Sequence, residues 1–406
     1  MSDEKIEDGE MSQAIPAEKE YKLAVSFLEG DGAEQDYEKA DELFRKVLEI
    51  RKEFYGKDHI NIATTYFIIG DRYREHVDYK KALLCYKDAH SIYIKNYYKH
   101  QNITDTLGFI ADCYEELADY KEAVKYYNDA VVSDEELNGK DNENIAVFYN
   151  RISFCYESLK EYQNAFNYSK KALAIREKTL GTEHEDTVCI YVKIADIYFL
   201  QKDYDNAIIH YEKAYIIYKK INDNENIETN NSCYSLAVCY EEKEEYEKAL
   251  SYYEEALNGY EKILGKEQSF TAAAYLSIAS CHYNLKNYEK ALENDLTALE
   301  IYEKICKEDS PELSLSYNNT GTDYRILGKY DEAIKYHLKA LELRKKYCNV
   351  TDHIAFSFKN AGKDYEAFGD KIKANEYYKE SLSIYESLEG FESDVEELRE
   401  SVKRTQ

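Results

Sequence analysis

His59 and His184 stand in one register of the chain, a position where a neutral imidazole could act as a base or a metal ligand. Both lie in short polar stretches after a glycine, so the reading they support is a surface loop histidine. Cys113, Cys155, Cys239 and Cys281 also share a register, 42, 84 and 42 residues apart. Disulfide reach is only ~4.4–6.8 Å between Cα atoms, too little for positions held a structural repeat apart. Nine cysteines, an odd number with no Cys-x-x-Cys pair, form neither a disulfide framework nor a zinc site. They read as small buried apolar residues in a reducing compartment. The sequence holds no glycine-rich phosphate loop, no His-Glu-x-x-His pair and no Gly-x-Ser-x-Gly elbow. Glutamate pairs abound, as on any helical surface. No catalytic residue, metal or cofactor is therefore expected.

The elements that must carry these residues are helices. Two prolines and 15 glycines in 406 residues, against abundant Ala, Leu, Glu, Lys and Tyr, favour an all-α chain. Acidic residues outnumber basic ones by 80 to 53, a formal charge of −27. Such a field repels nucleic acid and anionic membrane surfaces, so neither is an expected partner. Met1–Glu20 lacks the apolar run of a secretory signal, and no later run approaches a membrane span. A soluble, cytoplasmic protein is the expectation.

Self-similarity decides the architecture. Tyr-x-x-Ala recurs with anchors at Tyr37, Tyr79, Tyr120, Tyr162, Tyr204, Tyr246, Tyr288 and Tyr330, and a ninth unit carries Lys371 and Ala374. The spacing is 41 or 42 throughout. Nine places before the anchor stands a small residue, as in Gly70, Ala111, Ser153, Ala237 and Gly362, which lets two helices approach. Three places later comes a tyrosine, with His282 the exception. Ten places after the anchor alanine recurs in seven units, from Ala89 to Ala340. Offsets of 3, 7, 10, 11 and 14 trace one apolar stripe of a helix about five turns long. Each unit is then two antiparallel helices. Gly56, Gly139, Gly181, Gly265 and Gly390, with Asp223 and Asn349 in the same register, are expected left-handed caps on the second helix. Ser310-Pro311 offers an N-cap and first-turn proline. One pair cannot bury its stripe, so stability comes from stacking neighbours.

This order of small residue, Tyr, Tyr, Ala and Ala resembles the tetratricopeptide repeat. The 42-residue period is similar to the kinesin light chain subclass, most clearly in Ala172-Leu-Ala-Ile-Arg-Glu-Lys-Thr-Leu-Gly181 before Thr-Glu-His184. Related wording recurs in Leu48–Arg51 with Gly56–His59, and in Ala340–Arg344. The heptad-rich arm that joins kinesin light chains to a motor is not visible. In the first unit Phe27 stands ten residues before Tyr37 instead of six, an insertion with Gly30 and Gly32 that is similar to Sel1-like repeats. The resemblance implies a right-handed α-solenoid of about nine antiparallel helix pairs over residues 20–390. An acidic, disordered tail over 1–19 precedes it and a capping helix over 391–406 follows.

By the same resemblance the first helix of each pair lines a concave groove, through positions twelve, eight and five before the anchor. A carboxylate clamp needs Lys then Asn there, and no unit has that pair. The groove candidates are Asn150, Phe154, Glu157, Asp196, Phe199, Tyr234, Tyr283, Asn318, Arg325, Lys359 and Lys363. Aromatics and amides would pin an extended segment. Asp112, Glu115, Glu157, Asp196 and Glu241 precede Arg325, Lys359 and Lys363, so a ligand basic at one end and acidic at the other is expected. The implied function is a scaffold or adaptor holding a protein, a peptide or a partner helix. The alternatives are a ligand-responsive regulator of the peptide-sensor kind and, remotely, an enzyme; the oligomeric state is open.

Overall fold

The computed structural model describes residues 15–30, 35–222, 226–307, 310–347 and 351–406. Among them every regular element is helical. Gln201 closes one compact unit and Lys202 opens a second.

The first unit runs α1 (Glu18–Glu29), α2 (Tyr37–Tyr55), α3 (Ile60–Glu75), α4 (Tyr79–Asn96), α5 (Gln101–Glu116), α6 (Tyr120–Asn138), α7 (Glu143–Ser158), α8 (Tyr162–Thr179) and α9 (Glu185–Leu200). The second runs α10 (Tyr204–Asn222), α11 (Ile227–Glu242), α12 (Tyr246–Ile263), α13 (Ser269–Asn284), α14 (Tyr288–Ile305), α15 (Pro311–Ile326), α16 (Tyr330–Tyr347), α17 (Thr351–Phe368), α18 (Lys371–Tyr385) and α19 (Glu392–Thr405). Within each unit every helix packs on the next, pair upon pair, as a tetratricopeptide-type solenoid does.

Each anchor is the first residue of a second helix. Aspartates before it cap the turn: Asp36, Asp78, Asp119 and Asp370 accept from the backbone N–H three residues on. The expected stripe is the core. Alanines three after the anchor, from Ala40 to Ala374, and ten after it, from Ala89 to Ala340, are fully buried. Cys113, Cys155, Cys239 and Cys281 are fully buried as well. Burial pushes the Cys113, Cys155 and Cys281 thiols up to about 12, which keeps them protonated and unreactive. A contact absent from the sequence reading joins the two helices of a pair. Tyrosines six before and six after the anchor stack, as in Tyr114–Tyr126 (5.4 Å), Tyr240–Tyr252 (5.5 Å) and Tyr324–Tyr336 (5.3 Å).

Helix ends depart from expectation in two ways. Gly56 and Gly139 have φ of 91° and 87° with ψ of 152° and 168°, an extended mirror conformation rather than the left-handed helical one. Only glycine enters that region freely, so the residue type is right and the geometry is not. Gly181, Gly265 and Gly390 share the positive φ, whereas Asp223 and Asn349 lie outside the described residues. The left-handed residue sits instead inside each pair, two before the anchor, and is seldom glycine: Val77, Ala118, Lys160, Lys202, Glu244 and Lys286 have φ of 59–64°. The Val77 N–H bonds Arg74 O and the Asp78 N–H bonds Tyr73 O, the double closure of a Schellman turn. His59 and His184, with His100, are not free loop groups. Each Nδ1 accepts from a backbone N–H two residues on and caps a first helix.

The start of the chain is also more ordered than expected. Residues 1–14 of the expected tail, and Gly32, lie outside the described residues, but α1 opens at Glu18. Arg51, buried on α2, explains why: it donates to Pro16 O at 2.9 Å and to Glu18 at 3.4 Å. At the other end α19 buries Leu398, Ser401, Val402 and Thr405.

Val77 is the β-branched member of the left-handed set and its side chain is exposed, so it pays the steric cost of that conformation without a packing return. Val77→Gly is expected to stabilise the first unit by about 1 kcal/mol. The midpoint of urea unfolding checks this, and an unchanged or lower midpoint contradicts it.

Candidate functional site

The first helices of the pairs carry the groove candidates, and a buried tyrosine on several of the second helices determines how some of them are held. Seven residues after the anchor stand Tyr86, Tyr127, Tyr253 and Tyr378, all essentially without exposure. A buried phenol needs an acceptor, and the candidate face supplies it. Tyr86 donates to Asp71 at 2.6 Å, Tyr253 to Glu241 at 2.6 Å and Tyr378 to Glu366 at 2.7 Å. Tyr127 bridges Asp112 at 2.6 Å and Glu115 at 2.8 Å.

In the first unit these bonds build a small acidic recess of about 210 Å³ between Arg74, Asp112, Glu115 and Arg151. Arg151 donates to Glu115 at 3.1 Å. Burial pushes the Asp112 and Glu115 carboxyls up, and the bonds from Tyr127 and the charge of Arg151 oppose it. One repeat on, Asn150 is exposed and Phe154 is 40% exposed, with Lys193 Nζ 5.2 Å from its ring centre. Lys193 also bonds Glu157 at 2.8 Å. Asp196 and Phe199, on α9, are half-buried.

In the second unit the candidates divide sharply. Tyr234 belongs to the interior: its ring packs on Tyr253 at 5.0 Å and Tyr260 at 6.4 Å, and its hydroxyl meets Ser277 at 2.7 Å. The expected positive stretch offers little free charge. Arg325 bonds Asp364 at 3.1 Å, and Lys359 is buried against Asp394 at 2.7 Å and Glu397 at 2.5 Å. Lys363 pairs with Glu397 at 3.0 Å. Carboxylates of α19 thus neutralise Lys359 and Lys363, and Asp364 on α17 neutralises Arg325, the cations expected to read an acidic ligand. Asn318 is buried and accepts from Asn360 at 2.8 Å.

Tyr283 and Asn318 do come together. With Ala279, Ser280, Asn319, Thr322, Asp295 and Asp323 they line a recess of about 270 Å³. Asp295 holds the register that tyrosine fills in Tyr86, Tyr127, Tyr253 and Tyr378, and Asp323 holds the register of the four buried cysteines. Sequence reasoning missed both, although the departure from the repeat was the available signal. Asp295 and Asp323 are 4% and 2% exposed, and Asp295 Oδ1 and Asp323 Oδ2 have no hydrogen-bond partner. Burial, then the neighbouring Asp323 charge, raises Asp295 well above the usual carboxylate range. Burial pushes Asp323 up to about 6, opposed by its bond to Asp295. Two carboxyls sharing a hydrogen bond hold a proton between them. Arg325 on α15 and His337 on α16 are both engaged by Asp364. Among the described residues no group of three or more His, Cys, Asp or Glu side chains is placed to hold a metal.

Two outcomes follow from these bonds. Tyr127→Phe removes the hydroxyl that Asp112 and Glu115 share, and the first unit should lose about 1–3 kcal/mol, measured by urea unfolding. A carboxyl whose folded pKa is raised stabilises the fold below its unfolded value, near 3.8 here, and that contribution is lost as pH rises through the folded value. The second unit should therefore lose stability between about pH 4 and pH 7, and Asp323→Asn should regain on the order of 1–3 kcal/mol at about pH 7. Unfolding of both proteins at the two pH values checks the sign; a variant less stable than the parent at the higher pH contradicts it.

Residues 32–95, 102–178, 144–220, 186–262, 270–346 and 321–387 each match the tetratricopeptide repeat family. A search of the curated proteins gives no match. Among solved structures, the apo form of RapI is 17% identical with a TM-score of 0.60, over 91% of this chain and 97% of that one. A Signal Transduction ATPase with Numerous Domains from Pyrococcus horikoshii, which has a tetratricopeptide repeat sensor, is 20% identical with a TM-score of 0.57. That likeness covers 81% of this chain and 54% of the other. BtubC (BKLC) from P. vanneervenii is 21% identical with a TM-score of 0.50, over 57% of this chain and 91% of that one. At these identities the likenesses show the fold, and the six matched segments span most of the sequence: the chain belongs to the tetratricopeptide repeat family.

Proposed function

We propose that this chain is a cytoplasmic scaffold or adaptor, not an enzyme, and that it holds an extended peptide or a partner helix against its first-helix faces. The observation that carries the reading is the exposure of Phe154 and Tyr283, 40% and 37%, at groove positions of first helices. Exposed aromatics beside amides and carboxylates are the composition of a protein-binding surface. Asn150, Glu157, Asp196 and Phe199 accompany Phe154 on the first unit; Arg325 and the buried Asn318 accompany Tyr283 on the second. Tyr234, Lys359 and Lys363 support it from behind, by packing and by ion pairs. The 42-residue period assigns the array to the kinesin light chain-like subclass, with the first pair as a Sel1-like cap and α19 closing the far end. A net charge of −27 favours neutral or basic partners.

A photo-crosslinking amino acid placed at Phe154 or at Tyr283 tests this in the native host. Leu84 and Ile216, exposed on second helices, serve as controls. The expected outcome is one discrete polypeptide captured from both groove positions and from neither control. Equal capture at all four sites, in a chain whose circular dichroism is unchanged, would sink the groove reading.

A further inference from the structure

The recess between α13, α14 and α15 has a filled counterpart one repeat later. There Asp364, seven before its anchor and fully buried, takes His337 Nδ1 at 2.5 Å and Arg325 Nη1 at 3.1 Å, and Arg325 also meets Asn360 Oδ1 at 3.5 Å. His337 stands seven after its anchor, Arg325 five before it, and Asn360 eleven before the next. One repeat earlier the same four registers hold Asp295, Tyr283, Asn319 and Asp323. The carboxylate and the amide are retained, while the histidine and the arginine are replaced by an aspartate and a tyrosine. In the later repeat a guanidinium of the chain itself satisfies the buried carboxylate. In the earlier one Asp295 Oδ1 and Asp323 Oδ2 are left without a donor, beside a recess of about 270 Å³.

We propose that this recess binds the guanidinium of an arginine side chain on a polypeptide partner, in the place that Arg325 fills for Asp364. The inference rests on the reading of the first-helix face as a peptide-binding surface. Asp295 and Asp323 supply two acidic oxygens to the planar fork, Asn318, Asn319 and Thr322 supply neutral acceptors, and the half-exposed Tyr283 ring offers a face to stack on. Entry of the cation replaces the proton shared by the two carboxyls, so both ionise against the guanidinium. Ser280 Oγ is committed to Glu241 at 2.7 Å and fixes the wall nearest α11.

The full chain is titrated with acetyl-Gly-Arg-Gly-amide, its citrulline and lysine versions, and calcium chloride, by calorimetry. The arginine peptide should bind at least about tenfold more tightly than the citrulline isostere, in which a carbonyl oxygen replaces a guanidinium nitrogen and removes the charge, and more tightly than the lysine peptide. Asp295→Asn and Asp323→Asn should each weaken it about tenfold or more, with unfolding midpoints equal to or above that of the parent. Tyr283→Arg, which supplies an internal guanidinium at the register of Arg325, should abolish it. Equal affinity for arginine and citrulline, binding untouched by Asp295→Asn, or binding of calcium alone would each overturn the proposal. Crosslinks from Phe154 and Tyr283 that persist in Asp295→Asn while the arginine peptide fails to bind the parent would defeat the recess and spare the groove. Arginine-peptide binding without any groove crosslink would do the reverse.

Discussion

The structure depends on a phenol buried between two helices of a pair. Seven residues into a second helix a tyrosine is large enough to fill the space opened by the small residues of the facing helix, such as Ala111 and Ala237. Its hydroxyl arrives at the opposite face of the first helix, where it cannot be left without a partner. Asp71, Asp112, Glu115, Glu241 and Glu366 provide one. Core packing and face chemistry are therefore one network, and a change to the carboxylate is felt by the core.

That coupling alters what the acidity of the chain means. A formal charge of −27 suggests a surface of free carboxylates, yet those on the candidate face are partly desolvated and bonded from beneath. For Asp112 and Glu115 burial raises the pKa while the Tyr127 bond opposes it, so each sits between a surface group and a core group. The cations behave alike. Lys359 and Arg325 are satisfied inside the chain, and a ligand competing for them would have to displace Asp394, Glu397 or Asp364. Breaking such a buried pair costs more than a surface bridge returns.

The helix pairs were legible because they depend on periodic small and apolar residues, and alanine three and ten places after the anchor is a signal that only a helix-helix contact explains. The left-handed turns were not, because Val77, Ala118 and Lys160 carry no glycine signature; two backbone bonds hold the turn regardless of side chain. Groove membership was legible in register and opaque in role. Tyr234 and Phe154 hold equivalent-looking aromatic places, but Tyr234 packs on Tyr253 and Tyr260 while Phe154, 40% exposed, meets Tyr120 edge-on and Lys193. The neutralisation of Lys359 was invisible for a plainer reason. Its partners lie 35 and 38 residues away on a helix outside the repeat pattern.

A repeat supplies the expectation against which a departure becomes informative. Ser169, Asp295 and His337 replace the tyrosine seven places after the anchor, and each replacement is answered differently. Ser169 is closed by Ser153 at 2.7 Å, a small polar pair in place of a ring. His337 is answered by Asp364, which replaces the usual cysteine, and the two changes compensate in hydrogen bonding. Asp295 is answered by Asp323, also at the cysteine register, but an acid facing an acid leaves Asp295 Oδ1 and Asp323 Oδ2 without a donor. The two junctions share one scaffold, so the difference between a closed polar core and an open one reduces to whether the residue seven after the anchor brings a donor or a second acceptor.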